Sequence, residues 1–214
     1  LILGLIGIDD YYNRKKSLLL IISTFLMIMT SYYFSVGGIF AFGVYGIYKY
    51  LKSEPKSSLK SLLLAMIKLA VPIITGVFMS GILLLPTFSA VLNGRSSSGD
   101  SKGLDILSLI LPQITLQDIL YSPYSLGLTS IAVIAIISGF LSKKKENIIL
   151  SAIISTILIF PVFIYALNGT LYLKSKALIP FVPLVCLVTA NFINDLFINR
   201  SNRNRILTVL VTLG

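Results

Sequence analysis

Side chains that could hold a phosphate group occur in two polar segments of this chain. Arg95 lies in residues 93–122, and Lys174 and Lys176 lie in residues 168–176. Arginine contacts a phosphate through two parallel hydrogen bonds, whereas lysine acts as a point charge. We therefore predict a lipid-phosphate site made by Arg95, Lys176 and Lys174, with Arg95 as its strongest candidate. The alternative is that these side chains are solvated and bind nothing.

Two tyrosines indicate the depth at which this site would lie. Tyr121 and Tyr124 directly precede an apolar run, and aromatic rings with a polar end are favoured at the level of lipid headgroups. The Ser/Gly-rich stretch 93–103 is followed by apolar residues at spacings of three and four. That spacing predicts short interfacial helices on the outer face within residues 104–120.

Residue types exclude several other kinds of chemistry. The chain has no histidine and a single cysteine, Cys186, within an apolar run. Neither a disulfide nor a metal site is therefore predicted, and no motif indicates a cofactor. Asp9 and Asp10 are adjacent carboxylates that resemble a catalytic or metal-binding pair. Because basic residues begin at Arg14, four positions after Asp10, we interpret the two carboxylates as a local ion-paired helix end.

The composition is that of a membrane protein. Hydrophobic residues make up 56% of the 214 residues, charged residues only 12%, and the mean hydropathy is +0.92. A soluble domain would have about a quarter of its residues charged. The net charge of +10 comes from short basic clusters between apolar runs. Such clusters indicate contact with membrane lipids and not with nucleic acid.

The apolar runs predict an all-α, polytopic transmembrane helical bundle. Residues 1–214 are assigned to one multi-span domain, because no segment has the composition of a second, soluble domain. Apolar runs at both chain ends are interpreted as partial spans, so we expect the chain to be an internal fragment of a longer protein. The predicted complete spans are residues 18–33, 36–50, 69–92, 123–142, 147–167 and 177–193.

Residues 18–50 allow either one long helix or a hairpin of two short helices. The turn-forming residues 31–38 lie in the middle. The hairpin places fourteen of the eighteen Lys and Arg residues on one side of the membrane, whereas the single helix places eleven there. Basic residues accumulate on the cytoplasmic side, so charge favours the hairpin. Its two helices are slightly shorter than a usual span of about 20 residues.

Five segments of the chain, taken in order, resemble the YfhO family of bacterial membrane proteins. Their motifs are patterns of Tyr, Phe, Pro and Asn-Gly, and together they contain 93 of the 214 residues, spread between residues 7 and 185. They are residues 7–20 (GIDDYYNRKKSLLL), 31–51 (SYYFSVGGIFAFGVYGIYKYL), 81–98 (GILLLPTFSAVLNGRSSS), 121–134 (YSPYSLGLTSIAVI) and 160–185 (FPVFIYALNGTLYLKSKALIPFVPLV).

The resemblance implies a GT-C-like glycosyltransferase in the bacterial cell membrane, with its active face outside the cell. Such an enzyme transfers a sugar from a polyprenyl-phosphate donor to a surface glycopolymer such as lipoteichoic acid. Arg95 stands where the family has an arginine after the Leu-Leu-Pro helix. Lys176 stands where the family often has an arginine, so it keeps the charge without the bidentate geometry. The resemblance places the catalytic base in an outer loop upstream of this chain.

A non-enzymatic function is the alternative to the transferase. The chain would then belong to a flippase for lipid-linked sugars, or to a scaffold subunit of an envelope assembly machine. Charged residues near the middle of a span would favour transport. The predicted spans contain none, and this favours the transferase.

Overall fold

The fold of residues 1–95, 128–168 and 175–197 is described by a computed structural model. These ranges contain nine α-helices and one 3-10 helix, and no strand. Tyr121, Tyr124, Lys174 and the predicted interfacial helices lie outside them. The helices are α1 Ile2–Arg14, α2 Leu18–Thr30, α3 Tyr32–Ser53, α4 Leu59–Met79, α5 Gly81–Arg95, α6 Ser130–Phe140, α7 Lys145–Ile159, α8 Pro161–Leu167, the 3-10 helix Ser175–Phe181, and α9 Val182–Phe197.

Two glycines bring α1 and α4 close to α2. A Cβ atom on Gly7 of α1 would lie 2.8 Å from the backbone nitrogen of Leu20. On α4, a Cβ atom at Gly76 would lie 2.7 Å from the carbonyl oxygen of Ile21. Helices in membranes associate through small residues of this kind, because small residues let the backbones approach. The contacts explain why α1, α2 and α4 pack as a layered group.

Residues 18–50 form two helices that fold back on each other. The break is at Ser31, whose backbone is extended and whose hydroxyl accepts a hydrogen bond from the Phe34 amide, 3.4 Å away. Gly38 of α3 lies against the Met27 sulfur of α2. In one continuous helix these two residues would be roughly 16 Å apart. Of the two alternatives for this segment, the structure therefore has the hairpin.

The second group of helices packs around α3. Its apolar core joins α6, α7, α9 and the 3-10 helix to one face of α3. Because α3 contributes residues to this core and also contacts α1, α2 and α4, it connects the two groups. The core residues include Ala41, Val44, Ala135, Leu150, Ile154, Phe181 and Leu184.

Two predicted spans differ from the helices of the structure. The predicted span 69–92 is interrupted at Ser80, whose hydroxyl donates to the carbonyl of Gly76 at 2.9 Å. The preceding helix already begins at Leu59, since the exposed Lys68 does not interrupt it. The predicted span 147–167 is two helices with an 85° bend. Pro161 causes this bend, because it has no amide hydrogen and forces the preceding residue to be extended.

Within the described ranges, two helices are long and apolar enough to cross a membrane. They are Leu59–Met79 and Lys176–Phe197, and the bent pair α7–α8 would make a third if it is one span. Ile67, Val71 and Phe78 on α4 are all at least 60% exposed. An apolar surface of this extent is unusual in a soluble protein but suits a lipid environment. The described part of the chain thus has a helical fold with at least two segments that are long and apolar enough to span a membrane.

The hairpin makes a prediction about membrane topology. Thr30 is exposed at the turn between α2 and α3, and Glu54 is exposed at the other end of α3. In a Cys186→Ala background, we expect an impermeant thiol reagent to label Thr30→Cys in intact cells. Glu54→Cys should react only after permeabilisation. Equal labelling of both cysteines in intact cells would contradict the hairpin topology. Ser35 is unsuitable as a probe, because its side chain is buried.

Candidate functional site

The candidate site lies where the start of α3 meets the end of α8 and the 3-10 helix. We call this region the Tyr33 end and define it by Tyr33, Asn168 and Lys176. Gly37 permits the contact, because a Cβ atom there would lie 3.0 Å from both the carbonyl oxygen of Ala177 and the side chain of Pro180. The absence of a side chain at residue 37 therefore lets the 3-10 helix rest on α3.

Lys176 lies over an aromatic ring at this end. Its Nζ is 4.7 Å from the centroid of the Tyr33 ring, within the distance at which a cation is attracted to the ring face. The side chain is half-buried. Among the described residues no carboxylate forms an ion pair with Lys176. Within the described part of the chain, the group that holds its charge is thus a neutral ring.

Asn168 fixes the Tyr33 ring. The Tyr33 hydroxyl donates a hydrogen bond to the Asn168 side-chain oxygen. The Asn168 side-chain nitrogen donates in turn to the carbonyl oxygen of Ile164, at 2.8 Å. This second bond fixes the side-chain oxygen, and not the nitrogen, toward Tyr33. Asn168 is also buried, with only 5% of it exposed. The sequence presents Asn168 only as part of an Asn-Gly turn, so its role was missed.

The structure describes only the backbone of one of the other two predicted phosphate ligands. Arg95 is the last residue of α5, and its side chain lies outside the described part of the structure. Lys174 lies outside the described residues altogether. The proximity of either residue to Lys176 stays a prediction. Lys176 is the one predicted ligand whose surroundings the structure describes.

No comparison with known proteins identifies this site. The chain matches no family of known proteins, no curated protein and no solved structure. The YfhO resemblance therefore stays a prediction based on the sequence segments that suggest it. Within the described ranges, no group of three or more Cys, Asp or Glu residues could hold a metal ion.

A second polar region lies at the opposite end of α3, and we call it the basic end. Lys49 Nζ is 2.6 Å from an Asp9 carboxylate oxygen, which also accepts a hydrogen bond from the Tyr45 hydroxyl at 2.9 Å. Asp10 pairs with Arg14 at 3.7 Å, one turn along α1. The prediction of a local ion-paired helix end is thus confirmed for Asp10. It is wrong for Asp9, whose partner lies on another helix.

The basic end continues into the second group of helices. Asn191 of α9 donates to the Tyr48 hydroxyl at 3.1 Å and to the Asn147 side-chain oxygen at 3.2 Å. One turn beyond Asn191, the buried carboxylate of Asp195 lies 3.4 Å from Lys144 Nζ. These contacts were missed from sequence. The sequence feature that could have predicted them is the i, i+4 spacing of Asn191 and Asp195, which places both side chains on the same face of one apolar helix.

The two ends differ in charge. Three basic clusters, containing Arg14, Lys49 and Lys144, meet at the basic end through the contacts just described. Tyr33 and Lys49 are separated by 16 residues of α3, which is roughly 24 Å along the helix axis. Lys176 therefore lies apart from the main accumulation of positive charge. An anion bound at the Tyr33 end would interact chiefly with that end's own cations.

Proposed function

We propose that this chain is part of a GT-C-like glycosyltransferase of the bacterial cell membrane, with its active face outside the cell. It transfers a sugar from a polyprenyl-phosphate donor to a surface glycopolymer such as lipoteichoic acid. The observation that carries the proposal is the position of the Lys176 ammonium. It is held at the end of the bundle opposite the basic end, without a described carboxylate partner.

The proposed reaction displaces the lipid phosphate from the sugar. An acceptor hydroxyl attacks the anomeric carbon and forms the new glycosidic bond. The bond from that carbon to the phosphate oxygen breaks, and its electron pair leaves with the phosphate. The hydroxyl proton passes to a carboxylate that acts as general base. Lys176, together with Arg95 and Lys174, stabilises the negative charge that grows on the departing phosphate.

Topology supports this location for the reaction. The donor's lipid tail remains in the bilayer, so its phosphate lies at the membrane surface. If the basic end faces the cytoplasm, as the positive-inside rule predicts, the Tyr33 end faces outward. That is the side on which surface glycopolymers are found. Tyr121 and Tyr124, which we predict to lie at the level of the lipid headgroups, would border the same site.

Loss of the Lys176 charge tests the proposal. In full-length protein we expect Lys176→Gln to reduce sugar transfer about tenfold, because a hydrogen bond to a charged group contributes roughly 1.5–3 kcal/mol. Lys60→Gln is the matched control, since Lys60 is exposed near the start of α4 at the basic end. Transfer from a radiolabelled polyprenyl-phosphate sugar would be measured in membranes. Equal rates for the two variants would contradict the role of Lys176.

One observation favours the alternative of a flippase for lipid-linked sugars. Asp195 is a buried carboxylate within Lys176–Phe197, one of the two membrane-spanning candidates. Charged groups inside a span often mark a transport path. Its pairing with Lys144 at the basic end also fits a structural role. Asp195→Asn would distinguish the two, because a flippase would lose transport whereas the transferase would keep its chemistry.

A further inference from the structure

We propose that Tyr33 and Asn168 are positioning residues for the phosphate-binding lysine. The Tyr33 ring holds the Lys176 ammonium and Asn168 fixes the ring, so that the ammonium is set to receive the phosphate of a lipid donor. This inference rests on the proposed function. It adds two residues that the sequence did not single out. Asn168 acts on the Tyr33 ring, and the ring acts on Lys176.

The contact with the Tyr33 ring restricts the flexible side chain of Lys176. A lysine side chain has four rotatable carbon–carbon bonds and loses much rotamer freedom when it binds an anion. The negative face of the Tyr33 ring, 4.7 Å from Nζ, orders the side chain before a ligand arrives. The cost of ordering Lys176 is thereby met in the free protein, which is how preorganisation raises affinity.

Because the Tyr33 ring is neutral, it also leaves the positive charge of Lys176 available to bind a phosphate. A carboxylate partner would satisfy Lys176, and a phosphate would then have to compete with it. Tyr33 attracts the ammonium through its ring quadrupole and does not neutralise the charge. Asp9 shows the contrast at the basic end, where it lies 2.6 Å from Lys49. Lys49 is thus occupied, whereas no carboxylate of the described ranges pairs with Lys176.

Asn168 sets the orientation of the ring. Its side-chain nitrogen is bound to the Ile164 carbonyl, so its oxygen faces the Tyr33 hydroxyl. Asn168 itself is at the end of α8, while Tyr33 is in the first turn of α3. The hydrogen bond therefore ties two separate elements together beneath the lysine. A change at Asn168 should act on phosphate binding through Tyr33 and Lys176.

Binding of polyprenyl phosphate to full-length protein in lipid nanodiscs tests the inference. We expect Tyr33→Leu to weaken binding about fivefold when Lys176 is present. In a Lys176→Gln background the same change should have almost no effect. Tyr33→Phe, which keeps the ring and loses the hydroxyl, should weaken binding less than Tyr33→Leu. Equal losses in the two Lys176 backgrounds would show a merely structural role and overturn the proposal.

A second variant keeps the test valid if Tyr33→Leu does not fold. Asn168→Ala removes the hydrogen bond to Tyr33 and should weaken binding about threefold, again only when Lys176 is present. Inorganic phosphate serves as competitor, and we expect it to displace polyprenyl phosphate only at far higher concentrations. Equal potency of the two would overturn the assignment to a lipid phosphate.

Binding and transfer separate this inference from the proposed function. Wild-type protein that binds polyprenyl phosphate with the expected dependence on Tyr33, yet transfers no sugar, would contradict the transferase and leave the inference standing. Wild-type protein that transfers sugar, with unchanged binding and transfer in Tyr33→Leu, would contradict the inference alone.

Discussion

Sugar transfer by the Arg95→Ala variant of the full-length protein is expected to fall at least about tenfold, with membrane insertion unchanged. An arginine forms two charge-assisted hydrogen bonds to a phosphate, and each is stronger than a neutral one. Alanine removes both of them, and the departing phosphate then keeps more of its charge uncompensated. The measurement is transfer from a polyprenyl-phosphate sugar in membranes, at equal expression of variant and wild type.

Arg14→Ala is the matched control for Arg95→Ala. It makes the same chemical change at the basic end, where Arg14 is 69% exposed and pairs with Asp10 at 3.7 Å. An exposed pair of this kind contributes about 0–1 kcal/mol to stability. We therefore expect wild-type transfer from Arg14→Ala. If both arginine variants lose transfer equally, a general effect of lost positive charge explains the result better than a phosphate site.

A single methyl group at Gly76 is expected to destabilise the bundle. Its Cβ would lie 2.7 Å from the backbone oxygen of Ile21 and from the Thr24 side chain. Backbone cannot move aside as a flexible side chain can, so α2 and α4 must separate. Overpacking of this kind costs about 1–3 kcal/mol. We expect Gly76→Ala to lower the free energy of unfolding by that amount, as measured by denaturant titration in detergent micelles.

Gly43→Ala provides a control in which the expected effect has the opposite sign. Among the described residues, no atom outside the local turn of α3 lies within 4 Å of a Cβ built at Gly43. There the substitution should raise stability by about 0.5–1 kcal/mol, because alanine loses less backbone entropy than glycine in a helix. Equal effects at Gly43 and Gly76 would show that helix propensity dominates and that the α2–α4 contact is looser than described.

The sequence predicted the helical class and the hairpin for clear physical reasons. Apolar runs of span length force the backbone to satisfy its own hydrogen bonds as helices. The distribution of basic residues favoured a fold-back within residues 18–50, and the structure has the break at Ser31. The same reasoning could not locate the break at Ser80. A single serine whose hydroxyl bonds to the backbone does not noticeably lower the hydropathy of the apolar run around it, so the break cannot be read from hydropathy.

The candidate site was predictable only in part. Lys176 stood out because a lysine beside an apolar span is conspicuous in a chain with few charges. Its placement over Tyr33 depends on a contact between residues 143 positions apart in sequence, which no local pattern reports. The partner of Asp9 was missed for a related reason, since Lys49 lies 40 residues away and the nearer Arg14 looked sufficient.

In the proposed reaction, the Tyr33 end binds the phosphate of a lipid-linked sugar during transfer. The most direct test is the glycosylation of envelope polymers by full-length protein in membranes supplied with polyprenyl-phosphate sugars. Wild type and Lys176→Gln would be compared at equal expression. We expect donor-dependent transfer by wild type and a roughly tenfold loss in the variant. No transfer by wild type with any supplied donor would contradict the transferase and favour the flippase or scaffold.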